Sequence, residues 1–205
     1  MTGNVAALAL LEFASTAHGI VAVDRMLKRA PIAMLRCGTV HPGHYLALVG
    51  GTVASVEEAF AEGSAAGELA DAVFLPDPHP GVRDAALGTR AAGGEDDTVG
   101  VVETVNAAAL LRSIDAALKA APVGLGEFRL ADDLGGRGLA LIHGDLPDVQ
   151  AALAAAESRV GEDGQMRART LLARPDAHLR GVLAAGTEFR ACAFAEPHGA
   201  EKLED

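Results

Sequence analysis

Aromatic residues are nearly missing from this chain: 3% of its 205 residues, with one Tyr and no Trp. Half of the residues are nonetheless hydrophobic. Ala, Val and Leu must therefore fill the interior, and such small side chains suit close packing of one element on another. Cysteine is scarce as well. Cys37 and Cys192 lie in unrelated contexts with no metal-ligand spacing, so the simple reading is a soluble cytoplasmic protein with free thiols. No apolar run approaches the roughly 20 residues of a membrane span, and Met1 is not followed by a basic, apolar signal sequence. Basic charge is also in deficit, with 17 Lys and Arg against 28 Asp and Glu and a net charge of −11. Broad nucleic-acid binding, which needs a basic footprint, is excluded on that ground. A Gly-rich phosphate loop, a nucleophile elbow and a His-Glu metal helix are all absent, which argues against an enzyme.

What the chain does contain is a repeat. Leu10-Leu11-Glu12 precedes Asp24 to Ile32, and Val101-Val102-Glu103 precedes Asp115 to Val123. Glu12 and Glu103, Asp24 and Asp115, and Pro31 and Pro122 are each separated by 91 positions. A second block, Leu46 to Gly51, returns as Leu139 to Gly144 at a separation of 93, so a two-residue length difference sits between the blocks. Solenoid and propeller periods are about 20–50 residues. This longer period implies two homologous domains in tandem, each small enough to need packing against the other or against another chain.

Each half reads as β-α-β-β-α-β followed by a short helix. Residues 6–13 form a short apolar strand, and Ser15 and its counterpart Asn106 are candidate helix N-caps. Ile20, Val23, Leu27 and Ala30 fall at helical spacing, as do Leu111, Ile114, Leu118 and Ala121, and Pro31 and Pro122 end these helices. Strands are expected at 32–40, 45–50 and 70–75, and again at 123–130, 138–144 and 166–172. Thr52 and Asp145 are caps for the second helices, which run to about Ala66 and Ser158. The fold class is α+β, two tandem ferredoxin-like β-α-β-β-α-β domains with a four-stranded antiparallel sheet each. Domain boundaries are expected at 1–88 and 98–186, with a polar, Gly-containing linker at 89–97 and a variable tail at 187–205.

Taken in order and twice over, these segments resemble the tandem-domain shell proteins of bacterial microcompartments, across residues 6–186. The resemblance rests on the Glu-ending first strand, the Asp-x-x-Leu-Lys-x-Ala-Pro helix end, the small-residue turn before the third strand, and the stretches beginning Gly50-Gly51-Thr52 and Gly144-Asp145-Leu146. The first strand precedes the first helix in both halves, which indicates the unpermuted class. The resemblance implies a structural, non-enzymatic shell tile in the cytoplasm. It implies a homotrimer arranged as a pseudohexamer, joined to other hexameric and pentameric shell proteins around encapsulated enzymes. It also implies a central pore for metabolites, cofactors or electrons.

The pore would be lined by Val40, His41, Pro42, Gly43 and His44 from one half, and by Leu134, Gly135, Gly136 and Arg137 from the other. Some tandem relatives carry a cysteine at the place of His41, where it holds an iron–sulfur cluster. Histidine stands there in this chain, so thiolate ligation does not carry over. Three copies of His41 around the axis would offer either a metal site with an open position or an uncoordinated polar collar. Arg137 and His44 suggest a mildly cationic aperture; the opposing reading pairs Arg137 with Asp132 or Asp133. Lys28 and Lys119 match the family's tile-edge lysine, and Arg174 resembles its edge arginine, which the first half lacks at Leu75-Pro76. Both lysines also read as ordinary helix-end residues complementing the dipole. A small-molecule-binding regulatory oligomer with paired α/β domains is the alternative function.

Overall fold

A computed structural model describes residues 5–88, 97–131, 133–189 and 192. Most of the expected linker, most of the tail including His198, and Asp132 lie outside them. Among the described residues fourteen elements follow one another, beginning with β1 (Ala7–Phe13), α1 (Thr16–Arg29), β2 (Met34–Val40), β3 (His44–Gly51), α2 (Val53–Ala66), β4 (Leu69–Leu75) and α3 (Pro80–Ala86). The series repeats as β5 (Thr98–Thr104), α4 (Ala107–Ala120), β6 (Gly124–Leu130), β7 (Gly138–Gly144), α5 (Leu146–Val160), β8 (Met166–Ala173) and α6 (Ala177–Ala185). The two sheets have orders β2-β3-β1-β4 and β6-β7-β5-β8, antiparallel throughout. Even an irregularity recurs, since the register shifts after Glu12 in one sheet and after Glu103 in the other.

The caps follow the sequence with one exception. Ser15, Thr52 and Asn106 accept from the backbone N–H groups of His18, Ser55 and Ala109. Asp145 occupies the N-cap of α5, but its side chain makes no cap bond. Pro147 stands at the second helical position and has no N–H, which removes one of the two donors a cap residue ordinarily engages.

Strand β1 is buried along its whole length because both faces of its sheet are covered. Ala7, Ala9, Leu11 and Phe13 pack with Ala22, Met26, Val56 and Ala59 of α1 and α2 in one cluster. Leu8 and Leu10, on the opposite face, join a second cluster that runs into the other half through Leu110, Leu111, Ile114 and Leu118 of α4. Helix α4 therefore serves two sheets at once: the interior of its own domain and the back of the first. The two halves share one core across this seam.

One packing swap distinguishes the halves. On α1, Gly19 leaves room for the ring of Tyr45, and a Cβ there would sit 2.7 Å from Tyr45 Cδ1. At the equivalent places α4 has Leu110 and β7 has Gly138, where a Cβ would sit 2.5 Å from Leu110 Cβ. The same gap is filled from the strand in one domain and from the helix in the other.

Candidate functional site

The two turns singled out in the sequence meet in the folded chain. The first, Val40 to His44, closes with the Gly43 N–H donating to the Val40 carbonyl at 2.9 Å. Gly43 has φ of 106°, a left-handed conformation that glycine adopts freely, and the His41–Pro42 peptide is cis. His41, Pro42 and Gly43 are exposed, and Val40 and His44 half-buried. The second turn places Gly135 at φ 62° and Gly136 at φ 87°. Gly136 is buried against the first turn: a Cβ on it would lie 3.0 Å from the His41 carbonyl oxygen and 3.1 Å from Pro42 Cδ. Glycine is required there for close approach as much as for the turn. Leu134 is half-buried, while Gly135 and Arg137 are exposed.

A carboxylate stands at the foot of each turn. Glu12 on β1 is 1% exposed; its Oε1 lies 2.7 Å from His44 Nδ1, and its Oε2 accepts the Ala107 N–H at 3.3 Å. The first domain thus reaches the N-terminus of α4 in the second. Burial pushes the Glu12 carboxyl above the usual range, opposed by the His44 and Ala107 hydrogen bonds and aided by the nearby Asp71 charge. At the equivalent place, Glu103 is met by Arg137 at 3.2 Å and Arg167 at 3.3 Å. Arg137 is therefore tied to Glu103. His41 has no partner set of its own: no group of three His, Cys, Asp or Glu side chains able to hold a metal occurs among the described residues of the chain.

The seam carries two further polar clusters that sequence reasoning missed. Arg112 on α4 donates to the Ala72 carbonyl at 3.0 Å and to Gln165 Oε1 at 2.9 Å, and it pairs with the Asp71 carboxylate, which also accepts from Gln165 Nε2 at 3.0 Å. Further along α4, Asp115 accepts the His79 N–H at 2.7 Å, and Lys119 Nζ donates to Asp115 at 2.7 Å and to the Asp77 carbonyl at 2.5 Å. Lys119 thus binds a carbonyl of its own first half, whereas Lys28 pairs with Asp24 at 2.6 Å. Arg174 is exposed at the end of β8 with φ of 52°, its N–H bound to the Asp97 carbonyl at 2.5 Å. Thr187, the first residue of the expected tail, is docked on β6 through Glu127, which accepts from its N–H at 3.2 Å and its hydroxyl at 3.1 Å. A cleft of about 650 Å³ lies between β2, β6 and the end of α6, with Arg36, Cys37, Glu127 and Arg129 in its walls. No helix among the described residues is long and apolar enough to cross a membrane.

Comparison with known proteins agrees with this architecture. The BMC domain family model matches twice, over residues 7–78 and 98–175. The bacterial microcompartment shell protein PduT of Citrobacter freundii is 37% identical over 171 residues, spanning 82% of this chain and 92% of that protein. A microcompartment protein from Desulfitobacterium hafniense superposes with a TM-score of 0.76 at 30% identity, covering 85% of this chain and 98% of that one. The fused permuted hexameric shell protein of the RMM microcompartment shares the fold at a TM-score of 0.51 and 18% identity, covering 76% and 84%. With two such domains in unpermuted order and these relatives along most of its length, the chain belongs to the tandem BMC-domain family of bacterial microcompartment shell proteins.

Proposed function

We propose that three copies of this chain close into a pseudohexagonal tile, with the two kinds of turn alternating around a central pore. As a shell protein the chain is structural and not an enzyme, and its place is the microcompartment shell in the cytoplasm. Tiles would join one another and other hexameric and pentameric shell proteins around encapsulated enzymes.

One observation carries the reading: two equivalent helices have unequal surroundings. Leu111 and Leu118 of α4 are buried at the seam, yet their counterparts on α1, Ile20 and Leu27, are 54% and 51% exposed. Val21, opposite in sequence to Arg112, is exposed beside them. The back of the second sheet is open in the complementary way, since Val101 and Leu139 are only half-buried where Leu10 and Leu46 are buried. Each open face is the counterpart of a face already joined inside the chain. The open helix of one copy therefore fits the open sheet of the next, head to tail, and rotation can close such contacts into a ring. Covering the exposed half of Ile20 and of Leu27 would contribute about 0.8–1.5 kcal/mol each, half the value for burying a fully exposed side chain.

Lys28, Lys119 and Arg174 are the candidates for contacts between tiles. The Lys119 ammonium has three donors and uses two inside the chain, leaving one for a neighbouring carbonyl. Arg137 and His44 would give the aperture a mildly cationic rim favouring neutral or anionic solutes, although Glu103 and Glu12 offset part of that charge. A three-copy His41 metal site is no part of the proposal.

Sedimentation of the purified protein tests it. The parent should run at three times the 20.8 kDa chain mass, and Leu27→Glu should run as a monomer with unchanged circular dichroism. A monomeric parent, or a discrete oligomer that binds a metabolite saturably and never forms sheets under the electron microscope, would overturn it.

A further inference from the structure

The closed seam and the two open faces carry different chemistry at equivalent places. Resting on the three-copy ring proposed above, we propose that Val21, Glu68 and Ala168 select which face joins which. The open α1 face takes the uncharged sheet back of a second copy's second domain and rejects the acidic sheet back of a first domain.

Strand register supplies the equivalences. Glu12 pairs with Asp71 and Glu103 with Ala168, so Ala168 on β8 holds the place of Asp71 on β4. The Ala14 N–H donates to the Glu68 carbonyl and the Val105 N–H to the Gln165 carbonyl, each at 3.0 Å, so Glu68 holds the place of Gln165. Val21 stands 91 positions before Arg112. At the closed seam, Arg112 and Gln165 of the second domain surround Asp71 of the first, a cation and an amide on one carboxylate. The Arg112 and Asp71 side chains are only 11% and 12% exposed there. On the open faces the same three places hold Val21, Glu68 and Ala168, all exposed. Carried over to the joint between copies, Val21 lies against a methyl group and Glu68 meets no carboxylate.

Both mismatched joints are penalised. An α1 face on the back of a first domain would put Val21 in the place of Arg112 and Glu68 in the place of Gln165. Asp71 would lose its cation and gain a second carboxylate, the kind of like-charge contact that rejects a wrong partner. An α4 face on the back of a second domain would put Arg112 against Ala168, where the adjacent Glu103 already holds Arg137 and Arg167. That guanidinium would be covered without its carboxylate. Because the halves are homologous, shape and apolar pattern alone admit all four pairings of helix face with sheet back. Charge leaves two, and those two alternate first and second domains around the ring. Exchange of faces into swapped or open-ended assemblies is thereby suppressed.

Sedimentation of the full-length protein over a range of concentrations tests this, with circular dichroism to follow the fold of each variant. All three substituted positions are exposed, so the fold should be unchanged. Ala168→Asp places a carboxylate opposite Val21 and Glu68 of the next copy, and should raise the concentration at which the trimer half-dissociates about tenfold or more. Ala168→Asn, of similar size but uncharged, should raise it by no more than about threefold. Adding Val21→Arg and Glu68→Gln to Ala168→Asp rebuilds the closed-seam set, and should return the trimer to within about threefold of the parent. Those two changes without Ala168→Asp should not strengthen the trimer. Unaltered stability in Ala168→Asp, equal losses for Asp and Asn, no recovery in the triple variant, or strengthening without Ala168→Asp would each overturn the selection. In all of these cases the parent still sediments as a trimer, whereas a monomeric parent is the failure of the ring itself.

Discussion

Adding a single methyl group at Gly138 tests the packing swap between the halves. In Gly138→Ala the new Cβ would meet Leu110 Cβ at 2.5 Å, Thr104 Oγ1 at 2.6 Å and the Asn106 carbonyl oxygen at 3.1 Å. The Leu110 Cβ and the carbonyl are fixed by the backbone, so no side-chain rotation relieves the clash. Overpacking of this kind costs about 1–3 kcal/mol. Displacing Thr104 also threatens its 2.8 Å bond to the Asn106 carbonyl, worth about 1 kcal/mol more. A loss of about 2–4 kcal/mol is expected, or roughly 4–16 °C in melting temperature for a protein of this size. The first domain shows the remedy, because its equivalent pair is Gly19 on the helix and Tyr45 on the strand. Combining Leu110→Gly with Gly138→Tyr should therefore recover much of what the two single changes lose. Urea unfolding of the four proteins in this cycle measures the coupling, expected between about 1 and 3 kcal/mol. Additive losses, or a Gly138→Ala protein within about 0.5 kcal/mol of the parent, would refute the claim that the halves fill one gap from opposite sides.

Two further outcomes follow from the seam. Removing the guanidinium in Arg112→Met leaves the half-buried Asp71 with only Gln165 and the Ala72 N–H as partners, and should cost about 3 kcal/mol in chemical unfolding, the low end of the range for breaking a buried pair. Replacing the pair by the residues at the equivalent open seam, Arg112→Val with Asp71→Ala, should recover most of that loss, since no charge is left stranded. For Glu12 the direction of the pH effect is set by its raised carboxyl. A group bound to its proton more tightly when folded stabilises the protein below its unfolded value, and that contribution is lost as pH rises through the folded value. The parent should thus gain stability relative to Glu12→Gln between pH 7 and pH 4, as measured by unfolding at each pH; an opposite trend would contradict the burial argument.

The sequence by itself determined the repeat, the element order and the unpermuted arrangement. These depend on local pattern: apolar period, capping Ser15, Thr52 and Asn106, and the stops at Pro31 and Pro122. Both turns were legible too, from Pro42-Gly43 and Gly135-Gly136. The contact of Gly136 with His41 was not, because the partners lie 95 positions apart and nothing local records their meeting. Nor was the work of the paired glutamates legible. Both stand one residue before the end of a strand at equivalent points, but only the tertiary structure decided that Glu12 is sealed beneath α4 while Glu103 remains partly open with two arginines. The Arg112, Asp71 and Gln165 cluster was hidden for the same reason: a seam between domains brings together residues whose charges look like ordinary surface until another element covers them. Local chemistry specifies the two wedges, and only packing across the seam decides which of their faces are closed within the chain and which are left open.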